Sequence, residues 1–188
     1  MIPIFEQGPG KGIGHNVDTF RQRFSTICRE HLETGRAKAF AFIFYDFTDG
    51  QIRQVLKDQG VFVQLDRLAG DKLSIFFLHS DSRRTVTAFN QEFLSHLGIT
   101  ETVRFPAVVF FKLREDQLTD IVVAELNSSD LIHGFKELYD TIERYVDDQL
   151  SSSGESRSVR WIKSSLKFIT GEALQALFDN VFRTAGLF

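Results

Sequence analysis

The chain has 188 residues, 43% of them hydrophobic and 25% charged, which is enough apolar material for a real core and no compositional case for a wholly disordered chain. A formal net charge of -3 argues against a protein built mainly to hold nucleic-acid phosphates, and a single Cys excludes an intrachain disulfide, a thiolate zinc site and a two-thiol redox cycle within one chain. The longest apolar run, Ala39 to Tyr45, is far too short to span a bilayer, and the first fifteen residues lack a signal-peptide apolar segment, so the expected location is the cytoplasm.

Residues 1–15 carry Gly8, Pro9, Gly10, Gly12 and Gly14 around Lys11 and read as an irregular arm. Val17, Phe20, Phe24, Ile27 or Cys28, and His31 or Leu32 then recur at helical spacing, with Asn16 as cap and Gly35 as stop. Lys38 to Tyr45 is a nearly continuous apolar run, as in a strand covered on both sides. Asp46 to Gly50 is its loop, followed by a helix over Ile52, Val55, Leu56, Leu65 and Leu68 that bends near Gly60. Lys72 to Leu78 is a second buried strand, and Ala88, Phe89, Phe93, Leu94 and Leu97 mark a helix stopped by Gly98. Pro106 to Leu113 and Asp120 to Leu126 are strands joined by a connection short enough for an antiparallel hairpin. Ser128 caps a helix whose stripe runs from Leu131 through Phe135, Leu138 and Ile142 to Tyr145. Residues 150–158 are a linker by composition, and 159–188 read as a helical segment with a break at Gly171.

This order predicts an α/β domain with a central mixed four-stranded sheet flanked by helices, plus a helical C-terminal extension. Over residues 16–149 it resembles the thioredoxin-like fold. The residue that carries the resemblance furthest is Pro106, opening its strand in Arg104-Phe105-Pro106-Ala107-Val108, at the place where that family holds a cis proline. Where redox-active members place Cys-x-x-Cys, this chain has Phe47-Thr48-Asp49-Gly50, and none of those side chains can attack a disulfide. The resemblance therefore implies a redox-inactive, non-catalytic module that binds protein partners in a groove formed by Phe47, Thr48, Asp49, Phe105 and Pro106, with Phe47 and Phe105 read either as groove contacts or simply as core.

Two catalytic alternatives stand beside it. Phe42 to Thr48 is similar to the strand-then-Asp motif of haloacid-dehalogenase-like phosphotransferases, with Asp46 as nucleophile and Ile75 to Ser80 as their second motif. The second family Asp is Thr48 here, and Asp147-Asp148 falls at a helix end, which leaves too few ligands for Mg²⁺. Cys28 and His31 stand three apart on the first helix, a spacing at which an imidazole can activate a thiol, but on an apolar stripe where a space-filling thiol is the commoner outcome. Gly10-Lys11-Gly12 lacks the Ser/Thr of a P-loop, and the histidines have no metal-ligand spacing. No metal and no cofactor are expected.

Charge divides unevenly along the chain. Residues 37–150 carry 12 basic and 18 acidic side chains, whereas 151–188 carry 5 and 3. Most of the tail's positive charge lies in Arg157, Arg160, Lys163 and Lys167 around Trp161, which read as a basic amphipathic helix that docks on the domain, pairs two copies as a homodimer or meets another surface.

Overall fold

The computed structural model describes residues 4–6, 13–15, 19, 22–23, 26, 39–57, 63–64, 67, 73–78, 82–114, 117–126, 131–146, 160–163, 169–170, 176, 179–180 and 183. Their elements are, in order, β1 (Ile4–Glu6), β2 (Ile13–His15), β3 (Ala39–Phe44), α1 (Gly50–Lys57), β4 (Leu73–Leu78), α2 (Arg83–His96), β5 (Ala107–Arg114), β6 (Gln117–Glu125), α3 (Leu131–Val146), β7 (Arg160–Lys163) and β8 (Ile169–Thr170). Among these residues no helix is long and apolar enough to cross a membrane.

The strands form one mixed sheet in the order β2-β1-β4-β3-β5-β6-β7, with β8 also paired to β6. Its centre is β4-β3-β5-β6: β3 and β4 are parallel, β5 is antiparallel to β3, and β6 is antiparallel to β5. Every residue of β3 is buried, because helices cover both faces and there is no solvent side for a polar alternation. Phe40, Phe42 and Phe44 point to one face and Ala39, Ala41, Ile43 and Tyr45 to the other, as the two-residue period demands. On the first face Phe42 lies 5.2 Å from Phe76 and 4.8 Å from Phe93, and Phe44 lies 5.3 Å from Phe93, ring centroid to ring centroid, so aromatic offset contacts seat α2 on the sheet. On the second face, Ile52 and Leu56 of α1 join Leu138, Ile142 and Tyr145 of α3, and Tyr145 stacks 4.3 Å from Phe110.

Helix α2 starts earlier than its apolar stripe does. The Ser82 hydroxyl accepts the Thr85 N–H at 3.3 Å and caps it, while Gly98 takes a φ of 68° and ends it. In the β5–β6 hairpin the register slips by one residue between Phe110 and Lys112. Asp120, at a φ of 54°, is the extra residue of that bulge; Asp tolerates the left-handed region better than most side chains. The slip keeps Ile121 and Val123 buried on the aromatic face.

Three expectations need correction. The stretch read as an irregular arm contributes β1 and β2, with β1 antiparallel to β4; the edge of β4 presents backbone donors and acceptors that a three-residue strand satisfies, and so short a strand leaves no periodic signal. The segment read as helix from residue 159 begins instead as β7, paired with β6 from Val122↔Lys163 to Glu125↔Arg160, and continues in β8. Arg160 and Ile162, two apart, share the face of Glu125 and Val123, with Ile162 buried and Arg160 exposed at the strand's start, and Trp161 and Ile162 are strand-favouring residues. Ala176, Asp179, Asn180 and Arg183 further on are helical. The strand read as Asp120–Leu126 begins three residues earlier, at Gln117. Thr19, Gln22, Arg23 and Thr26 are helical, whereas Cys28, His31, Ser128 and Lys167 lie outside the described residues.

Candidate functional site

The loop leaving β3 is organised by two carboxylates. Asp46 Oδ1 accepts both the Thr48 N–H, at 2.8 Å, and the Thr48 hydroxyl, at 2.6 Å, and the Asp49 N–H returns to the Asp46 carbonyl at 2.9 Å. This is a side-chain-closed turn of the kind Asp favours. The Thr48 hydroxyl and then its N–H hold the Asp46 carboxyl below its ordinary value of 3.8; partial burial opposes them and the charge of Arg83 adds to them. Asp49 caps α1, its Oδ1 accepting the Ile52 N–H at 3.1 Å. The Arg53 guanidinium sits 4.6 Å from the centre of the Phe47 ring, and its Nη1 donates to the Phe47 carbonyl at 3.4 Å. Behind the loop, buried Asn90 donates from Nδ2 to the Tyr45 carbonyl at 3.1 Å.

The second segment is the turn entering β5. The Phe105–Pro106 peptide is cis. The Pro106 carbonyl accepts the Leu126 N–H at 2.8 Å, and the Arg104 N–H donates to Glu125 Oε1 at 2.9 Å, so the backbone on both flanks of Phe105 is tied to the end of β6. The β3–β5 register pairs Phe44 with Ala107, which brings Tyr45 and Pro106 out at the same end of the sheet, side by side. Loop and prolyl turn thus share one sheet end. Thr48 is exposed, Phe47, Asp49 and Phe105 are half-buried, and Pro106 is buried; Phe105 packs partly against the aromatic core.

A charged cluster that sequence reasoning missed borders this end. Glu125 is only 2% exposed, yet its Oε2 accepts from Arg104 Nε at 3.1 Å and Nη2 at 3.0 Å, and its Oε1 accepts from Arg160 Nη1 at 3.4 Å. Arg160 Nη2 reaches Glu101 Oε2 at 2.6 Å. The register aligns Ala107, Glu125 and Arg160 across three strands. Arg160 therefore lies beside the prolyl turn, on a strand and not on the expected basic helix; the backbones of Trp161 and Lys163 pair with Ala124 and Val122. The available signal was Glu125 itself, a lone acid inside the apolar stretch Ile121 to Leu126, since a charge in a buried strand requires a partner.

Of the two phosphotransferase motifs only the first is described to its end, since His79 and Ser80 lie outside the described residues. Asp46 stands at the end of β3, but its Oδ1 is taken by Thr48, and among the described residues no three His, Cys, Asp or Glu side chains gather as a cation site. No family model matches the chain, and no curated protein or solved structure is significantly similar to it.

Proposed function

We propose that the protein is a redox-inactive, thioredoxin-like interaction module that receives an extended segment of a partner protein at the sheet end shared by Phe47, Thr48, Asp49, Phe105 and Pro106. The observation that supports this reading is the Phe44↔Ala107 register, by which Tyr45, where the loop departs, and Pro106 emerge at the same end of the sheet; in redox-active thioredoxins the corresponding loop holds the thiols. The sheet order β4-β3-β5-β6, with α2 on one face and α1 and α3 on the other, supports the resemblance. The loop's own hydrogen bonds support a structural role for its carboxylates: Asp46 closes a turn through the Thr48 N–H and hydroxyl, and Asp49 caps a helix. An extended partner would add backbone hydrogen bonds at Phe105 and apolar contact at Phe47 and Phe105.

The test is site-specific photo-crosslinking from position 48 in the full chain, with a crosslinker on exposed Glu143 of α3 as control. The reading expects a defined protein adduct from position 48 that Phe105→Asp abolishes and that position 143 does not give. Phosphatase activity on a generic aryl phosphate that needs Mg²⁺ and disappears in Asp46→Asn would replace it with the phosphotransferase alternative. Rapid thiol alkylation of the folded chain, coupled to a Cys28-dependent activity, would favour the cysteine alternative.

A further inference from the structure

We propose that the partner segment is acidic and docks a carboxylate on the guanidiniums of Arg104 and Arg160, displacing Glu101 from Arg160, the one of the two that Glu101 pairs with in the free protein. This rests on the interaction-module reading and names the chemistry of its partner. The two arginines come from distant parts of the chain and converge on one carboxylate because Glu125, 2% exposed, accepts from both. A buried anion cannot be left unpaired, so it fixes the inner edges of both guanidiniums. Their outer parts remain in water: the Arg104 side chain is 74% exposed and that of Arg160 47%.

Arg104 spends Nε and Nη2 on Glu125, and its Nη1 edge is the planar, two-donor face that matches a carboxylate. Arg160 spends Nη1 on Glu125, and its Nη2 is held at 2.6 Å by Glu101, whose side chain is 56% exposed. Glu125 is structural and dry, whereas Glu101 is a wet, rim-type partner whose ion pair with Arg160 is worth little in water. It can be displaced by a carboxylate that brings additional backbone and apolar contacts at Phe105. The cluster of two acids and two bases is neutral with Glu101 in place and carries one positive charge once Glu101 leaves, so an acidic ligand is favoured over a neutral one. The other acids of this sheet end do not compete, since Asp46 is bound by Thr48 and Asp49 by the start of α1.

The experiment measures fluorescence anisotropy of a labelled peptide of alternating glutamate and valine, against the glutamine–valine peptide, on the full chain. The acidic peptide should bind more tightly, and added salt should weaken it. Glu101→Gln should tighten it by about two- to fivefold, while Glu143→Gln, which changes net charge equally at a distant exposed position, should not. Arg104→Gln and Arg160→Gln should each weaken it about tenfold. Because those two variants can disturb the fold around Glu125, Glu101→Gln at the wet rim is decisive. Equal tightening by both glutamate variants, no change in Glu101→Gln, or no binding of the acidic peptide even to Glu101→Gln overturns the proposal. If both peptides bind equally and Phe105→Asp abolishes both, the interaction-module reading stands and the acidic partner alone is refuted.

Discussion

The side-chain amide of Asn90, in the middle of α2, donates to the main-chain carbonyl of Tyr45 across 3.1 Å in an otherwise apolar interior. It ties the helix on one face of the sheet to the residue from which the candidate loop departs. Replacing Asn90 by Ala removes the donor and leaves a buried carbonyl without it, so the chain should lose about 1–3 kcal/mol in urea unfolding. Loss of protection at the Thr48 and Gly50 amides, read by hydrogen exchange, should accompany it. A variant as stable as the parent would show that the bond has no net effect.

Glu125 is the joint of the charged cluster, and its removal differs from removal of either arginine. Glu125→Ala abolishes the acceptor for the Arg104 N–H and both guanidiniums, with an expected cost of about 2–4 kcal/mol. Arg160→Met leaves Glu125 with Arg104 and should cost about 1 kcal/mol, since the lost pair is half in water. Thermal denaturation of the two variants should rank them in that order, and the reverse ranking would refute this account of the cluster.

Gly50 opens α1, and a methyl group built on it meets nothing within 4 Å. With Asp49 supplying the cap, Gly50→Ala should stabilise the chain by about 0.4–1 kcal/mol through the restricted unfolded state and better helix propensity. Asp49→Ala at the neighbouring position should cost about 1 kcal/mol through loss of the cap. Chemical denaturation midpoints moving in opposite directions would bear out the pair.

The Asp46 carboxyl titrates below its unfolded value of 3.8, with the Thr48 hydroxyl as the chief cause. Its contribution to stability is therefore complete above the unfolded value and is lost as pH falls through the lower folded one. Asp46→Asn should flatten the acid side of the stability–pH curve, and Thr48→Val should move the Asp46 titration, followed by NMR, upward. An unmoved titration in Thr48→Val would assign the shift to another cause.

Much of the centre of this fold is legible in the amino-acid order. The uniform burial of Ala39–Phe44, the antiparallel β5–β6 pair and the stop at Gly98 follow from local patterns, since a short apolar run, a short connection and a glycine each act over a few residues. The absence of a thiol between residues 46 and 50 likewise excludes disulfide exchange there without any coordinates. Long-range contacts alone settle what fills the sheet edges and which residues meet across them. β1 and β7 are too short for periodicity to reveal, and they form because β4 and β6 present backbone groups to be paired. The convergence of Arg104, Glu125, Arg160 and Glu101 depends on strand register across the sheet. Register joins residues distant along the chain, through backbone hydrogen bonds that leave no trace in side-chain spacing.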